Sequence, residues 1–98
     1  TMDGIGNAKA HVKYLKSMLA VEYVDISSIV DLGFGYGHLF REMLKAFIPH
    51  TAEGIEPSEY AFKKASRLKL KPADSTVLKL KQIDLLTWCR EKNINTPF

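Results

Sequence analysis

Ile29-Val30-Asp31-Leu32-Gly33-Phe34-Gly35-Tyr36-Gly37 runs directly into His38-Leu39-Phe40-Arg41-Glu42-Met43-Leu44. A short run with β-branched residues meets three glycines at alternate positions, and the apolar period then becomes helical. This order predicts a buried strand, a tight turn and a helix, the opening unit of a nucleotide-binding α/β domain. So sharp a turn needs backbone angles that a β-carbon disfavours, and bare backbone lets a ligand approach closely. The helix start behind it offers free N–H groups and a partial positive charge.

Spacing discriminates between nucleotides. The dinucleotide fingerprint G-x-G-x-x-G, begun at Gly33 and Gly35, would place its third glycine at position 38, which is His38. An NAD-binding domain is therefore disfavoured and stands as a third reading. What the chain carries from Asp31 to Gly37 is D-x-G-x-G-x-G. This resembles the first motif of the class I S-adenosylmethionine-dependent methyltransferases. The resemblance implies that Asp31, Gly33, Gly35 and Gly37 hold the methionine end of S-adenosylmethionine, whose product is S-adenosylhomocysteine. A glycine-rich turn that binds nothing is the alternative for the motif alone.

Downstream, Thr51-Ala52-Glu53-Gly54-Ile55-Glu56-Pro57-Ser58 reads as a second strand and its exit. Glu56 lies 19 positions beyond Gly37, near the spacing of about 20 for the acid on a nucleotide ribose. A carboxylate accepts from both hydroxyls of a diol at once. The competing role for Glu56 is to favour a helix N-terminus. Pro57 is expected to open the next helix, where its missing N–H does no harm. The segment Gly54-Ile55-Glu56-Pro57-Ser58 also matches the methyltransferase pattern, in which an acid ends the second strand. Farther on, in Gln82-Ile83-Asp84-Leu85-Leu86, the resemblance implies that Asp84 accepts from the adenine amino group and that Leu85 lines the adenine pocket. Asp84 can equally cap a helix beginning near Leu86.

Around these motifs the apolar pattern predicts helices over about 8–24, 37–47, 58–70 and 87–92, with strands at 29–32 and 76–83 and a strand with its exit over 51–58. Leu39, Phe40, Met43, Leu44 and Phe47 form one wide apolar stripe, expected to be core. The first strand is apolar apart from Asp31, as suits a parallel sheet covered by helices. In the third, Leu78 and Leu80 alternate with Lys79 and Lys81, a half-exposed edge guarded by charge. The resemblance then implies a Rossmann-like α/β fold in truncated form, with three parallel strands in the order 3-2-1 and flanking helices. Residues 1–28 would be an N-terminal helix and lead-in. Residues 29–98 would be the N-terminal, cofactor-binding half of a methyltransferase domain, inactive by itself. A non-catalytic cofactor- or partner-binding module of the same fold is the runner-up. The outer edge of the first strand carries no guarding charge, so self-association is expected.

The 98 residues suffice for one domain, and 46% hydrophobic with 26% charged residues is ordinary globular composition. No apolar run approaches the roughly 18–20 residues of a membrane span. Cys89 is alone, so an internal disulfide is impossible, and a cytoplasmic setting is the default expectation. The net charge of +3 is concentrated in Lys63, Lys64, Arg67, Lys69, Lys71, Lys79 and Lys81 against a single Asp74. No aromatic residue interleaves with these cations, which argues against a nucleic-acid surface. His11, His38 and His50 make no metal-ligand spacing with Cys89. Neither a catalytic base nor the methyl acceptor can be named from the sequence.

Overall fold

A computed structural model describes residues 7–15, 17 and 26–93. Residues 7–15 are helical (α1); most of the continuation expected to Val24 lies outside the described residues, as do residues 94–98. The elements then alternate as β1 (Ser28–Leu32), α2 (His38–Phe47), β2 (Thr51–Ile55), α3 (Glu59–Ser66), β3 (Val77–Lys81) and α4 (Leu85–Glu91). The strands form a parallel sheet with β2 in the middle, pairing Ile29 with Ala52 and Ala52 with Leu78. This is the expected 3-2-1 order in a Rossmann-like α/β unit.

One face of the sheet carries the main core. Ile29 and Ala52 are buried there against Phe34, Phe40, Leu44, Ala65 and Leu70, with Leu78 and Leu80 packed at the margin. Gly54 lies on this face for lack of room: a Cβ on it would sit 2.7 Å from both Phe34 Cδ2 and Phe40 Cε2. Those two rings stack at 5.9 Å, so the glycine lets the aromatic pair lie directly on the strand. Phe34 belongs to the glycine turn. The core thus anchors the turn through its own side chain.

On the opposite face, α4 places Trp88 and Cys89 over Ile55. Trp88 Nε1 donates to Glu53 Oε1 at 2.8 Å, and Lys92 Nζ donates to Glu53 Oε2 at 3.0 Å. Burial pushes the Glu53 carboxyl up, but the bonds from Lys92 and Trp88 and the charges of Lys92 and Lys81 outweigh it and leave the pKa lowered. Lys81 Nζ reaches Glu91 at 3.1 Å, a second tie between β3 and α4. Beyond the reach of α4, Val30, Leu32 and Val77 remain about half exposed.

Several local expectations are corrected. Leu39 is exposed rather than core, because the stripe on α2 is wider than the surface it covers; Phe40 and Leu44 take the fully buried positions. Pro57 precedes the helix instead of opening it, since Ser58 is the N-cap and its hydroxyl accepts from Ala61 N at 3.2 Å. Helix α3 stops at Ser66, four residues short of Leu70, whose side chain is needed in the core. Helix α2 ends on Ile48, held at φ 43°, where its N–H bonds to the Leu44 carbonyl.

Candidate functional site

The site lies at the carboxyl ends of the strands, where open α/β sheets bind ligands. The turn after β1 is fastened by β2. Gly33 N and Phe34 N both donate to the Ile55 carbonyl, at 2.9 and 3.1 Å. Gly37 N donates to Phe34 O at 3.0 Å, closing the turn on itself. Gly35 N has a different partner, Glu56 Oε1 at 2.8 Å, and the other carboxylate oxygen accepts from Ser58 N at 2.9 Å. Glu56 is buried, 8% exposed, and its own N–H continues the ladder to Lys81 O. The acid picked out by spacing is therefore bound directly to the middle glycine.

All three glycines have positive φ: 95° at Gly33, 59° at Gly35 and 88° at Gly37. Their surroundings differ. Among the described residues, a Cβ on Gly33 or Gly35 would meet nothing within 4 Å, whereas one on Gly37 would lie 3.0 Å from Ala65 Cβ and 3.4 Å from Leu68 Cδ1. Gly33 and Gly35 therefore border open space, and Gly37 caps α2 against the following segment. Asp31, near the end of β1, is half-buried; desolvation first, and the charge of Glu56 second, raise its pKa above the ordinary value. Two carboxylates and two bare glycines thus converge at one rim.

Asp84 and Leu85 lie just past β3, at the same end of the sheet. The Asp84 side chain caps α4, Oδ1 accepting from Thr87 N at 2.7 Å, and this bond lowers its pKa. Its capping role is thus present, and the carboxylate is exposed. Leu85 packs at the margin of the Ile55–Trp88–Cys89 cluster. A cavity of about 200 Å³ lined by Ser28, Val30, Thr51, Glu53, Val77 and Lys79 opens at the other end of the strands, away from the glycine turn.

One feature of the rim has no signal in the sequence. Tyr36 and Tyr60 meet edge to face at 6.0 Å, with Lys64 Nζ 5.4 Å from the centre of the Tyr60 ring. The two tyrosines are 24 positions apart and share no periodic pattern. Gly54 did carry a signal, a glycine inside a strand, which marks close approach of another group.

No family model matches the chain, and no curated protein matches it in sequence. Its fold is similar to solved structures of the plantazolicin methyltransferase BpumL. One was determined with SAH and a monoazolic desmethylPZN analog, the other with SAH. The TM-score is 0.62 for both, at 19% and 18% identity, over 96% of this chain and 32% of each BpumL chain. The chain therefore has a methyltransferase-like fold and spans about a third of the length of those structures.

Proposed function

We propose that this chain is the cofactor-binding part of a class I S-adenosylmethionine-dependent methyltransferase. The observation that carries the reading is the Glu56–Gly35 bond beneath an open glycine rim. It sets a ribose-type acid beside backbone with room for a ligand, on a fold shared with a methyltransferase. In this reading Glu56 accepts from the ribose hydroxyls with lone pairs left over from its two N–H bonds. Asp31, Gly33 and Gly35 receive the methionine end, with Gly37 holding the turn against α3. Asp84, whose carboxylate is exposed, and Leu85 receive the adenine end. S-adenosylmethionine supplies a methyl group on a sulfonium, and the chain's residues bind and orient its carrier.

Isothermal titration of the chain with S-adenosylmethionine, S-adenosylhomocysteine and NAD tests the proposal. Both sulfur nucleosides should bind and NAD should not. Glu56→Ala should weaken binding by about 1.5–3 kcal/mol, the worth of hydrogen bonds to a charged group. Binding of NAD alone, or equal affinities in wild type and variant, would overturn the assignment. The methyl acceptor belongs to the whole protein; the 98 residues alone are expected to bind without turnover.

A further inference from the structure

We propose that Glu56 is a positioning residue that shapes the glycine turn before any cofactor arrives, an inference that deepens the cofactor-binding reading and rests on it for its functional consequence. Phe34 anchors the turn in the core, and three of the turn's backbone N–H groups are held from one place on β2 and its exit. Gly33 and Phe34 are held by the Ile55 carbonyl, and Gly35 is held by the Glu56 carboxylate. Consecutive residues 55 and 56 thus supply the acceptors for three turn N–H groups. The second carboxylate oxygen accepts from Ser58 N, so the same side chain is fixed to the start of α3, where Ser58 caps the helix. Glu56 is a strut between the β1–α2 turn and the N-terminus of α3.

The chemistry explains why this position needs a carboxylate. Both partners are donors, and only an ionised acid presents acceptors at both ends of the group. An amide has one acceptor and one donor, so in Glu56→Gln one of the two N–H groups must face an NH2. Aspartate is one methylene shorter and cannot span the same gap without moving the turn. A site built ahead of its ligand loses less ordering entropy on binding. The cost of losing Glu56 therefore has two parts: the contacts to the ribose, and the disorder of a turn no longer pinned at Gly35.

The test is made on the ligand-free chain at low concentration, by amide hydrogen exchange resolved at Gly35 and Ser58. In the wild type both amides should exchange about 10-fold or more slowly than unprotected turn amides. Glu56→Ala should release both, Glu56→Gln should release one, and the β2 ladder amides should stay protected in each. A scalar coupling across the hydrogen bond between Gly35 15N and the Glu56 carboxylate 13C in the wild type gives the same answer with no variant to fold. Equal Gly35 exchange in wild type and Glu56→Ala, or no coupling in the wild type, would overturn the proposal. S-adenosylhomocysteine affinity is measured in parallel, with an expected loss of about 10- to 100-fold in Glu56→Ala. Protection of Gly35 without nucleoside binding would sustain the strut and sink the cofactor reading. Binding lost in Glu56→Ala with Gly35 exchange unchanged would do the opposite.

Discussion

At the scale of single residues, the site keeps one acid at a cost to stability. The Asp31 pKa is raised, first by burial and then by Glu56, so the native state holds that proton more tightly than the unfolded chain. The stabilisation from this proton is complete below the ordinary aspartate value of 3.8 and is lost as pH rises through the raised native value. At neutral pH the charged Asp31 is a net burden. Asp31→Asn should therefore raise the melting temperature at pH 7, with the difference shrinking as the pH is brought below 3.8. Thermal unfolding at the two pH values checks this, and a variant less stable at pH 7 would show that Asp31 supports the fold. The glycines divide in the same manner. Gly35→Ala meets open space and should cost only the left-handed backbone term of about 1–2 kcal/mol, while impairing nucleoside binding. Gly37→Ala adds a 3.0 Å contact with Ala65 Cβ to the same term, so it should unfold at a lower temperature than Gly35→Ala. The reverse order would mean that the packing behind Gly37 is soft.

Among the elements, β2 is the one on which the others depend. It pairs with both neighbours, admits the Phe34–Phe40 stack through Gly54, and holds α4 through Glu53. Gly54→Ala forces a methyl to within 2.7 Å of two rings and should destabilise by about 1–3 kcal/mol, the usual range for overpacking. Because one of those rings is Phe34, nucleoside affinity should fall with it. A denaturant melt and a titration on the same sample distinguish this from a local effect, which would leave affinity intact. The end of α2 offers the opposite case. Ile48 is β-branched at φ 43°, a left-handed position that costs about 1–2 kcal/mol for such a residue. Ile48→Gly should stabilise the chain by roughly 0.5–1 kcal/mol after the unfolded-state entropy of glycine is deducted. The elements that were legible in the sequence are those whose cause is local. The alternation in β3, the apolar stripe on α2 and the D-x-G-x-G-x-G turn each carry their own period or spacing. The partners of Glu56, the contact between Tyr36 and Tyr60, and the exposure of Leu39 depend on how segments fold back on one another. A one-dimensional pattern holds no record of those distances. Asp84 is intermediate: its capping bond was one of two readings the sequence allowed, because an aspartate before a helix satisfies both.

For the whole molecule, the two edge strands of the sheet differ among the described residues, one guarded by charge and the other not. β3 ends its edge with Lys79 and Lys81, charges that discourage pairing with a foreign strand. β1 pairs with β2 on one side, and among the described residues no strand lies along its other edge. Val30 and Leu32 on that strand are 48% and 49% exposed, and Val77 on the same face is 57% exposed. A row of unpaired backbone N–H and C=O groups beside apolar side chains is a template for another copy of the chain. Each Å² of apolar surface covered there contributes about 25 cal/mol toward association. The chain is therefore expected to self-associate through β1, with the weight-average mass from light scattering rising along a concentration series. Val30→Lys should suppress that rise while leaving the melting temperature close to wild type, for two reasons. The position is half exposed, so little core is lost, and its partner across the ladder is Glu53, an opposite charge that a lysine can neighbour favourably. Lysine at position 30 would also give β1 the guard that β3 already has. A wild-type chain that stays monomeric throughout the series would show that the β1 edge is covered from within. Association unaffected by Val30→Lys would place the contact on another surface.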